Sequence, residues 1–108
     1  MEEHATLIMT TVATQADAES IAARLLEQGL AACVQEMPVT SRYRWQGEVQ
    51  RGVEILLLVK TVASAADEAM RAIEALHAYD VPEILALPVT GGLPAYLQWL
   101  AAETRREA

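Results

Sequence analysis

The stretch Leu76-His77-Ala78-Tyr79-Asp80-Val81-Pro82-Glu83-Ile84-Leu85-Ala86-Leu87-Pro88 decides how this chain is read. Its opening completes a helical pattern: Ala66, Ala69, Met70, Ile73 and Leu76 recur at spacings of three and four, and the same spacing carries His77 onto the stripe. Val81-Pro82 ends that pattern, because proline fixes φ and biases its predecessor toward extended backbone. Residues 84–87 are then apolar at odd and even positions alike, which marks a strand covered on both faces. Side chains that bind metal, move protons or donate hydrogen bonds are thus gathered where a helix hands over to a strand.

On the N-terminal side, residues 55–59 form the most apolar run and repeat the two-faced pattern. Gln46-Gly47 reads as the turn of a hairpin that leads into them. Before the turn, Arg42-Tyr43-Arg44-Trp45 alternates charge with ring, so Tyr43 and Trp45 share one face. Residues 31–37 read as a strand that Pro38 interrupts. Residues 6–12, rich in Thr, Ile and Val, form the first strand. Thr14 with Asp17 caps a helix that buries Ala18, Ile21, Ala22, Leu25 and Leu26 and stops at Gly29. Ser64 with Asp67 repeats the capping signal before the second helix. A strand over 84–89, the pair Gly91-Gly92 and a last helix with Pro94 in its first turn complete the chain, with Leu93, Tyr96, Leu97 and Leu100 on one side.

The order β-α-β-β-α-β plus a short helix is the split βαβ, or ferredoxin-like, arrangement: an α+β fold with a four-stranded antiparallel sheet and two helices on one face. At 108 residues and 53% hydrophobic, the chain forms a single domain, 1–108. Two helices cover only one sheet face, so the apolar residues aimed at the other need a second cover. Association of identical subunits is the simplest one.

Composition narrows the function classes. Eight basic against fifteen acidic residues give a net charge of −7, which opposes nucleic acid and anionic membrane surfaces as partners. The acidic Met1-Glu2-Glu3 start and the absence of a long apolar run argue against secretion or a membrane span and for a cytoplasmic protein. Cys33 is the single cysteine, so no internal disulfide forms. With two Trp, three Tyr and no Phe, each ring is a rare large anchor.

Four segments resemble the CutA family of divalent-cation tolerance proteins: Leu30-Ala31-Ala32-Cys33-Val34, Tyr43-Arg44-Trp45-Gln46-Gly47-Glu48, Leu56-Leu57-Leu58-Val59-Lys60-Thr61, and 77–84 followed by Tyr96-Leu97-Gln98-Trp99-Leu100. The resemblance covers nearly the whole chain. It implies a ferredoxin-like subunit, a homotrimer with three sheets packed around an axis, and an association with copper or other divalent cations. The chain departs from the family pattern at Ala78 and Asp80, where the family usually has Pro and Glu, and at Gln35, where Asn is common. Thr10 and Leu76 stand where copper-binding members can carry a cysteine and a histidine.

The metal candidates are therefore His77, Glu83 and Cys33, and the subunit-contact candidates are Tyr43, Arg44, Trp45 and Trp99. For His77 the alternative is a histidine tied to nearby backbone or to Glu83; for Glu83 it is an ion pair with His77, Lys60 or Arg44; for Cys33 it is a small core residue. The leading functional reading is a non-enzymatic trimer that binds copper or a similar ion at subunit clefts. A small-molecule signalling trimer, with Arg44, Tyr79 and Glu83 lining the cleft, and a purely structural scaffold stand beside it. An enzyme using His77 or Glu83 with Tyr79 lacks a nucleophile–base pair or a cofactor motif.

Overall fold

The computed structural model describes residues 4–104. Strand β1 (Ala5–Val12), helix α1 (Gln15–Glu27), strands β2 (Cys33–Trp45) and β3 (Glu48–Val62), helix α2 (Ala63–Leu76), strand β4 (Ile84–Pro88) and helix α3 (Pro94–Ala102) follow in order. The sheet is antiparallel with strand order β2-β3-β1-β4, as the split βαβ reading requires.

Local chemistry sets most boundaries. The Thr14 hydroxyl accepts from the Asp17 amide at 3.1 Å and starts α1. Gly29 ends that helix at φ 67°, a left-handed conformation that glycine adopts without a Cβ clash. Gln46 and Gly47 both have positive φ, the two-residue turn whose twist matches a β-hairpin.

Three boundaries differ from the sequence reading. Strand β2 runs straight through Pro38, which pairs with Ile55; β2 is an edge strand, so a residue without N–H is tolerated there. Helix α2 begins at Ala63 with Val62 as N-cap and no side-chain cap, because β3 leads directly into it and the Ala63 amide donates to the His4 carbonyl at 2.8 Å. His77 leaves the helical stripe: as C-cap of α2 it has ψ 140°, extended backbone that turns its ring off the helix. Among the apolar stripes, Leu26 and Leu93 are exposed, whereas Leu25 and Leu100 are buried. Met1, Glu2, Glu3 and the basic tail with Arg105 and Arg106 lie outside the described residues.

The main core lies between the helices and one sheet face. Ile8, Val12, Leu57 and Val59 meet Ala18, Ile21 and Leu25 of α1 and Ala69 and Ile73 of α2. Buried Thr61 donates its hydroxyl to the Leu30 carbonyl at 2.7 Å, which offsets its desolvation. Thr10 shares this face, fully buried, and its hydroxyl has no hydrogen-bond partner among the described residues.

The second face carries the alternate residues, in rungs Cys33–Lys60–Leu7–Leu87, Gln35–Leu58–Met9–Leu85 and Met37–Leu56–Thr11. Helix α3 closes one end, where Leu100 and Leu97 pack with Ala5 and Val62. Farther along, Leu85 is 54% exposed, and Leu87 and Met37 are exposed as well. Beyond the Val12–Ile55 pair, β2 and β3 continue as a two-stranded ribbon that gives the molecule a 47 Å long axis. No described helix is long and apolar enough to cross a membrane.

Candidate functional site

The site forms where the 77–83 segment folds over the base of the ribbon. His77 anchors it by backbone contacts. Its Nδ1 accepts from the Tyr79 amide at 3.2 Å, so Nε2 carries the proton and donates to the Thr11 carbonyl at 2.9 Å. Both ring nitrogens are occupied, and the imidazole fastens the end of α2 to β1. The ring also packs on Tyr79, centroid to centroid 4.9 Å.

Tyr79 makes the second tether, donating its hydroxyl to Glu54 Oε2 at 2.8 Å. Desolvation first, then the hydrogen bond and the charge of Glu54, push its pKa up to about 12. The phenol is therefore a neutral donor at ordinary pH. His77 and Tyr79 together strap the segment to two neighbouring strands.

A cleft of about 630 Å³ lies beside this strap. Tyr43, Trp45 and Tyr79 supply aromatic walls, and Glu54, Asp80 and Glu83 supply carboxylates. Arg42 lines the same space, with the hydroxyl residues Thr11 and Ser41. The strand pairing explains the meeting: odd positions of β2 and even positions of β3 share the second face, so Tyr43, Trp45 and Glu54 project on the side where Thr11 lies.

The candidates drawn from the sequence are only partly brought together. Glu83 is exposed in the cleft, beside exposed Asp80. Cys33 pairs with Lys60 at the opposite end of the sheet, two strands across from β1 and offset from Thr11 by four β1 positions, about 13 Å along the strand direction alone. Lys60 is thereby no partner for Glu83; its Nζ stands over the Tyr96 ring at 5.7 Å. Arg44 pairs with Val49 on the ribbon outside the cleft lining, and Trp99 sits on α3, its ring 5.6 Å from that of Tyr96. Thr10 faces the core, away from the cleft. Among the described residues, no three His, Cys, Asp or Glu side chains stand close enough to hold a metal ion.

Two features of the site escape a sequence reading. Glu54 is the acceptor that fixes Tyr79, and its signal was a carboxylate two positions before Leu56, on the same strand face. The Thr11 carbonyl has no signal, being backbone.

The fold and cleft define a small α+β protein with an uncovered apolar sheet face next to an acidic, aromatic-walled groove. A family model, the CutA1 divalent ion tolerance protein, matches residues 6–103. The chain belongs to that family. It is 48% identical over 105 residues to the divalent-cation tolerance protein CutA of Thermus thermophilus, covering 96% of this chain and 99% of that one. Among solved structures, CutA from Xylella fastidiosa superposes with TM-score 0.90 at 41% identity, covering 94% of this chain and 98% of the other. The periplasmic divalent cation tolerance protein CutA from Archaeoglobus fulgidus gives 0.88 at 35%, covering 92% and 97%.

Proposed function

We propose that this protein serves divalent-metal tolerance as a cytoplasmic homotrimer whose subunit clefts take copper or another divalent cation against Glu83 and Asp80. The observation that carries the reading is the position of the cleft: its acidic side chains border the bare apolar face and ribbon, where a second copy would complete it. Tyr43, Trp45 and Arg44 on the ribbon and Trp99 on α3 are the contacts offered to that copy. Of the three metal candidates, Glu83 is the one that lines the cleft. His77 acts through the strap, and Cys33 serves the far end of the sheet.

Light scattering and calorimetric titration with Cu(II) test the two halves of this proposal separately. A mass near three times 11.8 kDa supports the trimer, and a monomer removes it. Binding heat that weakens in Glu83→Gln and Asp80→Asn and persists in Cys33→Ser supports the cation site; no heat removes it. A second reading, a small-molecule signalling trimer, is favoured by the aromatic walls. Melting shifts with metabolites and none with metals would select it.

A further inference from the structure

The ribbon carries its charges on separate faces. Strand register puts Glu48 and Glu54 on the cleft side with Tyr43 and Trp45, and sets Arg42 directly opposite Arg51 on the other side, with Arg44 one rung farther, opposite Val49. Three of the chain's eight basic residues thus share one face of a hairpin whose acidic residues all lie on the other. Like charges directly opposite on paired strands are destabilising, and a carboxylate within reach would relieve them. None does so here: Arg42 and Arg51 are exposed, and among the described residues neither guanidinium has a carboxylate partner, in a chain with fifteen acidic residues.

An anion from outside the chain would supply the missing balance. Side chains opposed across a strand pair start about 5 Å apart at Cβ, close enough for two planar forks to close on one group from either side. A carboxylate, with two oxygens and a single charge, is filled by one fork; a phosphoryl group offers three oxygens and about two charges and so engages both. Val49 and Val53, 68% and 64% exposed, flank Arg51 on β3 and give the rest of a ligand an apolar ledge. The net charge of −7 limits the size of the guest, since it repels a long polyanion, whereas a small ligand meets only the local cationic field.

We infer that Arg42 and Arg51 form an oxyanion site that binds the phosphoryl group of a small phosphorylated ligand. Their shared face is turned away from Tyr43 and Trp45, so the site requires neither a metal nor the rings. Arg42, between Ser41 and Tyr43 on β2, also borders the cleft, whereas Arg44, offered to a second copy, is not needed for the anion.

Titration of the full chain with inorganic diphosphate, inorganic phosphate and acetate at matched ionic strength, read from the arginine Nε–H signals in NMR spectra, tests the inference. Diphosphate and phosphate should move the Arg42 and Arg51 signals along one saturable curve and leave those of Arg24 and Arg71, on the helices, in place. Acetate should bind at least about tenfold more weakly, because it engages one fork. Arg42→Gln and Arg51→Gln should each weaken diphosphate roughly tenfold, the worth of hydrogen bonds to a charged group, and Arg51→Lys should weaken it too, since a point charge replaces the fork. Without anion, Arg51→Gln should melt no lower than wild type, because it removes the repulsion, so lost binding there is not lost folding. Shifts common to all arginines without saturation, acetate binding as tightly as phosphate, or diphosphate binding unchanged in both glutamine variants would overturn the inference. A changed mass in light scattering for Arg42→Gln or Arg51→Gln would make this face a subunit contact and overturn it as well.

Discussion

Leu57 and Leu58 are adjacent on β3 and chemically identical, yet Leu57 is 0% exposed while Leu58 is only partly buried. The difference comes from what lies over each face. Helices α1 and α2 seal Leu57 with Ile8, Val59 and Ile73, whereas Leu58 stands in a rung with Met9 and with Leu85, which is exposed. Strand alternation sends half of an apolar run to each side, and helices α1 and α2 of this chain cover one of them. The second face holds the apolar rungs, the projecting rings and the cleft together.

Substitutions on the two faces should separate in both size and kind. Leu57→Ala, opening a cavity in the sealed core, should cost roughly 2–5 kcal/mol in urea unfolding and leave the mass in light scattering unchanged. Leu85→Asp should instead act on assembly, lowering the mass in light scattering toward the monomer and making the melting temperature depend on protein concentration. If Leu85→Asp leaves the mass unchanged, the open face is not the contact.

Tyr79 links the cleft to this open face, and its removal should have a smaller effect. Tyr79→Phe should lower stability by about 1 kcal/mol near neutral pH through loss of the bond to Glu54. The pH dependence has a definite sign. The folded-state pKa of about 12 lies above the ordinary 10.0, so the contribution is complete below pH 10.0 and is lost as pH rises through about 12. Phenolate formation then sets two negative groups against each other. Denaturant titrations between these pH values should show a steeper decline for wild type than for Tyr79→Phe.

Thr10 should give the smallest effect and the opposite sign. Replacing its hydroxyl, which has no partner among the described residues, by methyl in Thr10→Val should leave stability unchanged or raise it by about 1 kcal/mol. A loss above that size would reveal a partner for the hydroxyl and would weaken the contrast between a finished face and an unfinished one.

Periodicity and turn chemistry made the element order legible: Thr14 and Gly29 bound α1, Gln46-Gly47 turns the hairpin, and the two-faced runs of β3 and β4 put apolar residues on both sides of the sheet. These are signals between residues a few positions apart, where local sterics and hydrogen bonding decide the conformation. Pro38 and Ser64 misled because strand order and a direct strand-to-helix passage overrode local preference. The partners of the site residues required the tertiary structure. His77 lies 66 positions from the Thr11 carbonyl that holds it, Tyr79 lies 25 from Glu54, and Cys33 is remote from both despite its ligand chemistry. Such pairings depend on register across the sheet, and register is a property of the packed strands together, which no short window of sequence contains.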